Sequence, residues 1–278
     1  MLLQSLYGLK QASRVWNETI DKHPKSMGFE LAEADPYVYT RGEGDVECIV
    51  CLYEDGMLIA SRQKVVIASV KAGIVEKFRI RNLGRARFIL GIAIEYGMER
   101  RTLVISQKVY TESIIKKFGQ ESAKSCLTPL EPGVNLTKAD EPQTGEDTAK
   151  MKSKPYRSLV GSLMHLNPGE KHWDAGMKVV RYLLKPKDVC IVYDGLLGTQ
   201  LEVYSDADWA GNRDDRRSVS GIMLMMCGAP VMWRSTFQKT IALSSTEAEY
   251  MALSDCVKEC VWMRRLLKDI GVEQEGVR

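Results

Sequence analysis

Val46-Glu-Cys-Ile-Val-Cys-Leu-Tyr-Glu-Asp-Gly-Met-Leu-Ile-Ala60 holds two short apolar runs, VECIVCLY and MLIA, broken by Glu54-Asp55-Gly56. Apolar, β-branched-rich runs on either side of an Asp-Gly pair predict a β-hairpin. A tight turn lifts its central side chains out of the sheet. A carboxylate there can hold a divalent cation if other acids converge on it. Two-metal phosphoryl transfer needs several such acids, because cations about 4 Å apart repel unless neutralised. Taken alone, the string is better explained as an ordinary acidic hairpin turn, since Asp-Gly is a favoured turn pair.

Downstream of the hairpin, Val66, Val70, Ile74 and Phe78 recur at helical spacing and predict a helix over Val65–Phe78. Strand-like runs follow at Arg87–Glu95 and Thr102–Ser106, with a Gly-containing turn between them. A helix is expected from Gln107 to Phe118. The composition then shifts. Thr128–Pro155 carries Pro129, Pro132, Pro142 and Pro155 with Gly133, Gly145 and several acids, and no hydrophobic period survives. That composition predicts a linker or a long exposed connection. Helical patterns resume at Tyr156–Leu166 and Trp173–Leu184.

The last third alternates differently. Val189–Tyr193, Leu201–Ser205, Ser218–Cys227 and Pro230–Arg234 predict strands, the last two joined by a Gly228-Ala229 turn. A long helix is expected over Thr246–Ile270. Strands followed by a packed helix predict an α/β or α+β unit. Two further acidic strings fall here. In Tyr204-Ser-Asp-Ala-Asp-Trp-Ala-Gly211, Asp206 is expected at a strand end. In Ser244-Ser-Thr-Glu-Ala-Glu-Tyr-Met-Ala-Leu253, Glu249 is expected in the first helical turn. A strand-borne Asp facing a helix-borne Glu is half of a magnesium site. Thr246-x-x-Glu249 also matches a capping box, and Asp208 reads as a solvated turn acid; alone, each acid favours the structural explanation.

The chain has 278 residues, enough for about two domains. An apolar share of 45% supplies a core, and a charged share of 27% suits a globular rather than a disordered chain. The net charge of +3 permits a nucleic-acid partner without demanding one. Its distribution is more telling. Arg62, Lys64, Lys71, Lys77, Arg79, Arg81, Arg85 and Arg87 face a single acid, Glu76, across Arg62–Arg87. Seven scattered cysteines argue against a disulfide framework. Cys48-Ile-Val-Cys51 has zinc-like spacing, but its neighbours read as a strand and no second pair or His cluster accompanies it. Cys256 and Cys260 share a helix face and read as core filler. With no signal peptide and no bilayer-length apolar run, the expected setting is intracellular and reducing, cytoplasmic or nuclear, with no membrane partner.

Together these strings resemble the polymerase and ribonuclease H region of copia-type long-terminal-repeat retrotransposons. Leu6-Tyr-Gly-Leu-Lys-Gln-Ala-Ser-Arg-Val-Trp16 resembles the family's LYGLKQAPRxW, and Gly28-Phe29 with Asp35-Pro36 its GF…DP segment. Tyr53-Glu-Asp-Gly-Met57 stands where the family has YVDDM. Phe78–Gly91, Ser106-Gln107-x-x-Tyr110, Tyr156-Arg157, Val160-Gly-Ser-Leu-Met164, His172-Trp173 and Arg181-Tyr-Leu183 follow in the family's order. Then come SDADWAG, Arg217-Ser218-x-x-Gly221, Trp233-x-Ser235-x-x-Gln238 and SSTEAEYMAL.

The resemblance implies a partial polymerase palm and start of thumb over 1–127, a linker and helical connection over 128–188, and an incomplete ribonuclease H-like domain over 189–278. It implies Mg as cofactor and an RNA–DNA hybrid or other nucleic acid as partner. By motif position it makes Asp55 a palm metal ligand and catalytic residue, and Asp206 and Glu249 members of the ribonuclease H acidic set. It puts Lys10 and Gln11 near the incoming nucleotide, although the family's Pro is Ser13 here. It puts Arg79, Arg81, Arg85 and Arg87 near the duplex, where basic side chains neutralise phosphates; a solvated helix face is the competing explanation of the basic run.

The departures fall on the chemistry. The family's second Asp is Gly56, and its Val is Glu54, expected to point away from Asp55 because adjacent strand residues face opposite ways. Asn82 replaces an Asp. The family's upstream palm strand, its TRPD stretch between Leu166 and Asn167, and its later DN-type motif are not present in this sequence. The pattern predicts a retroelement-derived segment without polymerase activity. A residual hybrid nuclease, with Asp208 making up the shortfall of acids, and a non-enzymatic nucleic-acid-binding module are the competing readings.

Overall fold

Helix α1 (Ala12–Ser26) leads into strands β1 (Glu30–Leu31), β2 (Val38–Arg41), β3 (Cys48–Tyr53) and β4 (Gly56–Ser61), then helix α2 (Lys64–Lys77). This computed structural model describes residues 12–54, 56–131, 133–134, 136–160 and 169–276. The four strands form an antiparallel sheet in chain order, and the expected hairpin closes with Tyr53 opposite Gly56 and Cys48 opposite Ser61. Alternation in β3 buries Cys48 and Val50, while α2 turns Val70 and Ile74, four residues apart, onto the same core. Phe29 and Tyr39 complete that core, with Leu52, Met57 and Phe78 at its margin. Burying each such aliphatic side chain contributes about 1.5–3 kcal/mol. The helix α1 is tied down by His23, whose Nε2 lies 2.9 Å from the Gly73 carbonyl oxygen. Trp16 and His23 both set their rings edge-on to Phe78.

The chain divides into two compact units, the first drawn from Met1–Ala86 and Val257–Arg278, the second from Arg87–Cys256. The second begins with strands β5 (Phe88–Ile89), β6 (Ile92–Gly97) and β7 (Thr102–Ser106) and helix α3 (Lys108–Lys117). Helices α4 (Gly145–Lys152), α5 (Tyr156–Val160) and α6 (Glu170–Leu183) follow. Strands β8 (Ile191–Asp194), β9 (Glu202–Asp208), β10 (Val219–Met226) and β11 (Ala229–Phe237) precede the long helix α7 (Ser245–Asp269). The strands make two antiparallel sheets, β5-β6-β7-β8 and β11-β10-β9. Ile114, Ile115, Met151, Tyr156, Leu159 and Val180 form the helical core. Among the described residues no helix is long and apolar enough to cross a membrane.

Three elements differ from expectation. The run Arg87–Glu95 is a hairpin rather than one strand, because Leu90 (φ 52) and Gly91 (φ 78) both turn left-handed. The expected linker holds α4, capped by Thr144, whose Oγ1 accepts from the Asp147 N–H at 3.1 Å. The β10–β11 turn is Cys227-Gly228, one residue earlier than expected, and β11 already begins at Ala229. The helix expected over Tyr156–Leu166 is described as far as Val160; residues 161–168 lie outside the described set.

In its first unit, α7 is held by two bonds to one residue. Trp262 Nε1 donates to the Ala34 carbonyl at 3.0 Å, and the Ala34 N–H donates to Asp269 Oδ2 at 3.0 Å.

Candidate functional site

The β3–β4 turn is built by backbone geometry. Tyr53 and Gly56 pair, and Glu54 sits between them at φ 50. A left-handed, non-glycine residue breaks the alternation of the strand, so the expectation that Glu54 must point away from its neighbour no longer follows. Asp55, the acid assigned to the palm site, lies outside the described residues, as do Lys10 and Gln11. Gly56 carries no ligand atom. A Cβ there would meet only the Tyr53 carbonyl oxygen, at 3.2 Å, and its φ is not left-handed. Trp16 holds the turn from the side: its Nε1 donates to the Glu54 carbonyl at 3.0 Å. This positioning role is not legible in the sequence, although Trp16 closes the opening motif.

Asp206 lies inside β9, opposite Gly221 of β10. It belongs to the exposed set Tyr204, Asp206 and Asp208. The alternate face carries Ser220, Ile222 and Leu224, all buried. Helix α7 covers that alternate face. Gln238 Nε2 donates both to Ser220 Oγ and to the Ala248 carbonyl, at 3.0 and 2.8 Å. Arg234, paired with Ile222, reaches Asp255 at 3.9 Å. The register therefore sends Asp206 to the face away from α7. Glu249 is exposed on α7.

The cap of α7 also differs from expectation. Ser244 Oγ accepts from the Glu247 N–H at 3.1 Å, and Glu247 Oε2 accepts from the Leu243 N–H at 2.7 Å. The capping pair is Ser244 and Glu247, so Glu249 lies beyond the first turn with its carboxylate uncommitted to the helix end. Among the described residues, no three His, Cys, Asp or Glu side chains converge as a metal site.

Arg79, Arg81 and Arg85 are exposed in the extended segment after α2, and Arg87 is exposed just before β5. Asn82, which stands for an Asp of the family pattern, holds this segment: its Oδ1 accepts from Lys71 Nζ and from the Gly84 N–H, both at 3.0 Å.

All seven cysteines are free. Cys48 and Cys51 are three residues apart on one strand and so face opposite ways. Burial pushes both thiols up, away from the thiolate a metal requires, and Asp35 adds to the effect at Cys51. Cys256 is buried, and its Sγ lies 3.7 Å from the Tyr204 carbonyl oxygen. Cys260 is half-buried, and Cys190 is the exposed one.

Residues 1–132 match the family described as reverse transcriptase (RNA-dependent DNA polymerase). Over 99% of its length the chain is 36% identical to the retrovirus-related Pol polyprotein from transposon TNT 1-94 of Nicotiana tabacum, covering 22% of that protein. Over 98% it is 29% identical to the Pol polyprotein from transposon RE2 of Arabidopsis thaliana, covering 19%. Over 92% it is 26% identical to the transposon Ty1-BR Gag-Pol polyprotein of Saccharomyces cerevisiae, covering 16%. The chain thus spans about a fifth of the length of the plant polyproteins it matches.

Proposed function

Because this chain belongs to the reverse transcriptase family of copia-type retrotransposon Pol polyproteins, we propose that it is a polymerase–ribonuclease H segment that no longer synthesises DNA. In this reading 1–127 is palm and start of thumb, 128–188 the connection, and 189–278 ribonuclease H-like. The reading rests on Gly56. Of the family's two motif acids at this turn only Asp55 is left, Glu54 standing where the family has Val, and one carboxylate at a ligand position cannot neutralise two adjacent cations. Phosphoryl transfer is catalysed almost wholly by positioning and electrostatic stabilisation, so losing a metal ligand removes most of the rate. The φ at Gly56 is not left-handed, so the backbone conformation does not itself demand glycine, although a Cβ would press on the Tyr53 carbonyl oxygen at 3.2 Å.

The family uses divalent metal, but the residues described here do not fit a paired-metal centre. Gly56 contributes no side-chain donor, and Asp206 lies on the sheet face away from the helix that carries Glu249. What the chain retains is a basic segment, Arg79, Arg81, Arg85 and Arg87, suited to the phosphates of an RNA–DNA hybrid. A residual hybrid nuclease draws support from one observation, the release of Glu249 from capping duty by Glu247.

The test is primer extension on an RNA template with Mg²⁺ and deoxynucleotides, alongside a labelled hybrid for cleavage. No extension is expected. Extension by purified protein that disappears in Asp55→Asn would overturn the proposal; hybrid cleavage that disappears in Asp206→Asn would establish the nuclease reading instead.

A further inference from the structure

A cleft of about 330 Å³ opens between α1 and the first sheet, lined by Trp16, Asn17, Ile20, Tyr37, Leu52 and Glu54 among others. Its size matches a small organic ligand. Its walls are unusual in two respects. Trp16 and Tyr37 remain 40% and 50% exposed. The Trp16 ring N–H is spent on the Glu54 carbonyl and its ring lies edge-on to Phe78, while Tyr37 is anchored at its backbone, whose N–H donates to Asp35 Oδ1 at 2.8 Å. Trp16 is thus held by its ring and Tyr37 by its backbone, with surface of both left for a ligand.

The second respect is charge. Of the acids that line the cleft, Asp21 is already satisfied by the Tyr39 hydroxyl at 2.8 Å and the Lys25 ammonium at 2.7 Å. These partners, Lys25 first, hold its carboxyl below the usual range. Glu18 is paired with Arg14 at 2.8 Å. Glu54 alone among the lining acids has a carboxylate with no partner among the described residues. It is carried on the left-handed turn beside Trp16.

Exposed aromatic faces beside one uncompensated carboxylate are the chemistry that recognises a cation carrying an apolar body. We propose that this cleft binds a small aromatic ammonium ion, its charge directed to Glu54 and its body held against Trp16 and Tyr37.

The full chain, labelled with 5-fluorotryptophan, is titrated with benzyltrimethylammonium and observed by fluorine NMR. The chain has five tryptophans, and Trp16→Phe identifies the resonance of interest. A saturable shift of the Trp16 resonance is expected, weakened about fivefold in Glu54→Gln and in Tyr37→Leu. Unchanged resonances of the other tryptophans report that each variant is folded. Benzyl alcohol, the neutral comparator, is expected to leave Trp16 unmoved. Equal binding of benzyl alcohol, an undiminished response in folded Glu54→Gln, or no saturation with the cation would each overturn the proposal.

Discussion

Gly176 lies in the middle of α6, where replacement by Ala normally stabilises a helix by about 0.8–1 kcal/mol. Here a Cβ would stand 2.6 Å from Leu159 Cδ2 and 3.2 Å from its Cγ. Leu159 is fully buried at the centre of the helical core, so it has little room to retreat. Forcing a methyl into a packed core costs about 1–3 kcal/mol. The clash should therefore outweigh the helix gain, and Gly176→Ala should lose up to about 2 kcal/mol. Leu159→Ala alone should lose about 2–5 kcal/mol through the cavity it leaves. In the double variant the new methyl enters that cavity, the clash disappears and the helix gain returns. Its stability should exceed the sum of the two single effects by at least about 1 kcal/mol. Urea unfolding of all four proteins, followed by far-ultraviolet circular dichroism, measures this cycle. Stabilisation by Gly176→Ala, or additivity within about 0.5 kcal/mol, would refute the packing argument.

Other expectations follow from individual interactions. Ser244→Ala should cost about 1 kcal/mol by uncapping α7, whereas Glu249→Gln should change thermal stability by no more than about 0.5 kcal/mol; equal losses would contradict the assignment of the cap to Glu247. Lys171, 2.7 Å away, and then the Thr137 N–H hold the Asp140 carboxyl down to about 2. Its folded pKa lies below the unfolded value of about 3.9, so its stabilisation is present above that value and is lost as pH falls toward 2. Acid titration of Lys171→Met should show a weaker dependence across that window; an identical curve would count against the pair. Replacing Arg79, Arg81, Arg85 and Arg87 together by Ala should weaken binding to an RNA–DNA hybrid. The salt dependence should flatten by roughly one unit of log–log slope for each phosphate no longer neutralised. Unaltered slope would remove this segment from the interface.

Much of the architecture is legible in the sequence because hydrophobic period and turn chemistry agree. The Val46–Ala60 hairpin, α2 and α7 begin and end within about two residues of expectation, since each has a strong alternation or a helical stripe. The misses share a cause: local backbone devices marked by only one or two residues. Leu90 turns left-handed without being glycine, so Gly91 is the single turn residue that the sequence shows and the β5–β6 hairpin reads as one strand. The helix α4 buries only Met151 among its described residues, so no apolar stripe marks it; its signal is Thr144 followed three residues later by Asp147. Two overlapping cap patterns, Ser244-x-x-Glu247 and Thr246-x-x-Glu249, compete at the start of α7, and only coordinates choose between them. The acidic strings themselves are plain in the sequence. Their mutual placement is not, because sheet register decides whether Asp206 faces the helix, and register is set by partners far along the chain.

The distribution of free thiols has a practical outcome. Six of the seven cysteines are shielded to some degree, and Cys190, one residue before β8, is the exposed one. A maleimide fluorophore added at limiting concentration should therefore label the natural protein at Cys190 without mutagenesis. Anchored beside the β5-β6-β7-β8 sheet, such a dye would report the melting of the second unit from within its own sheet.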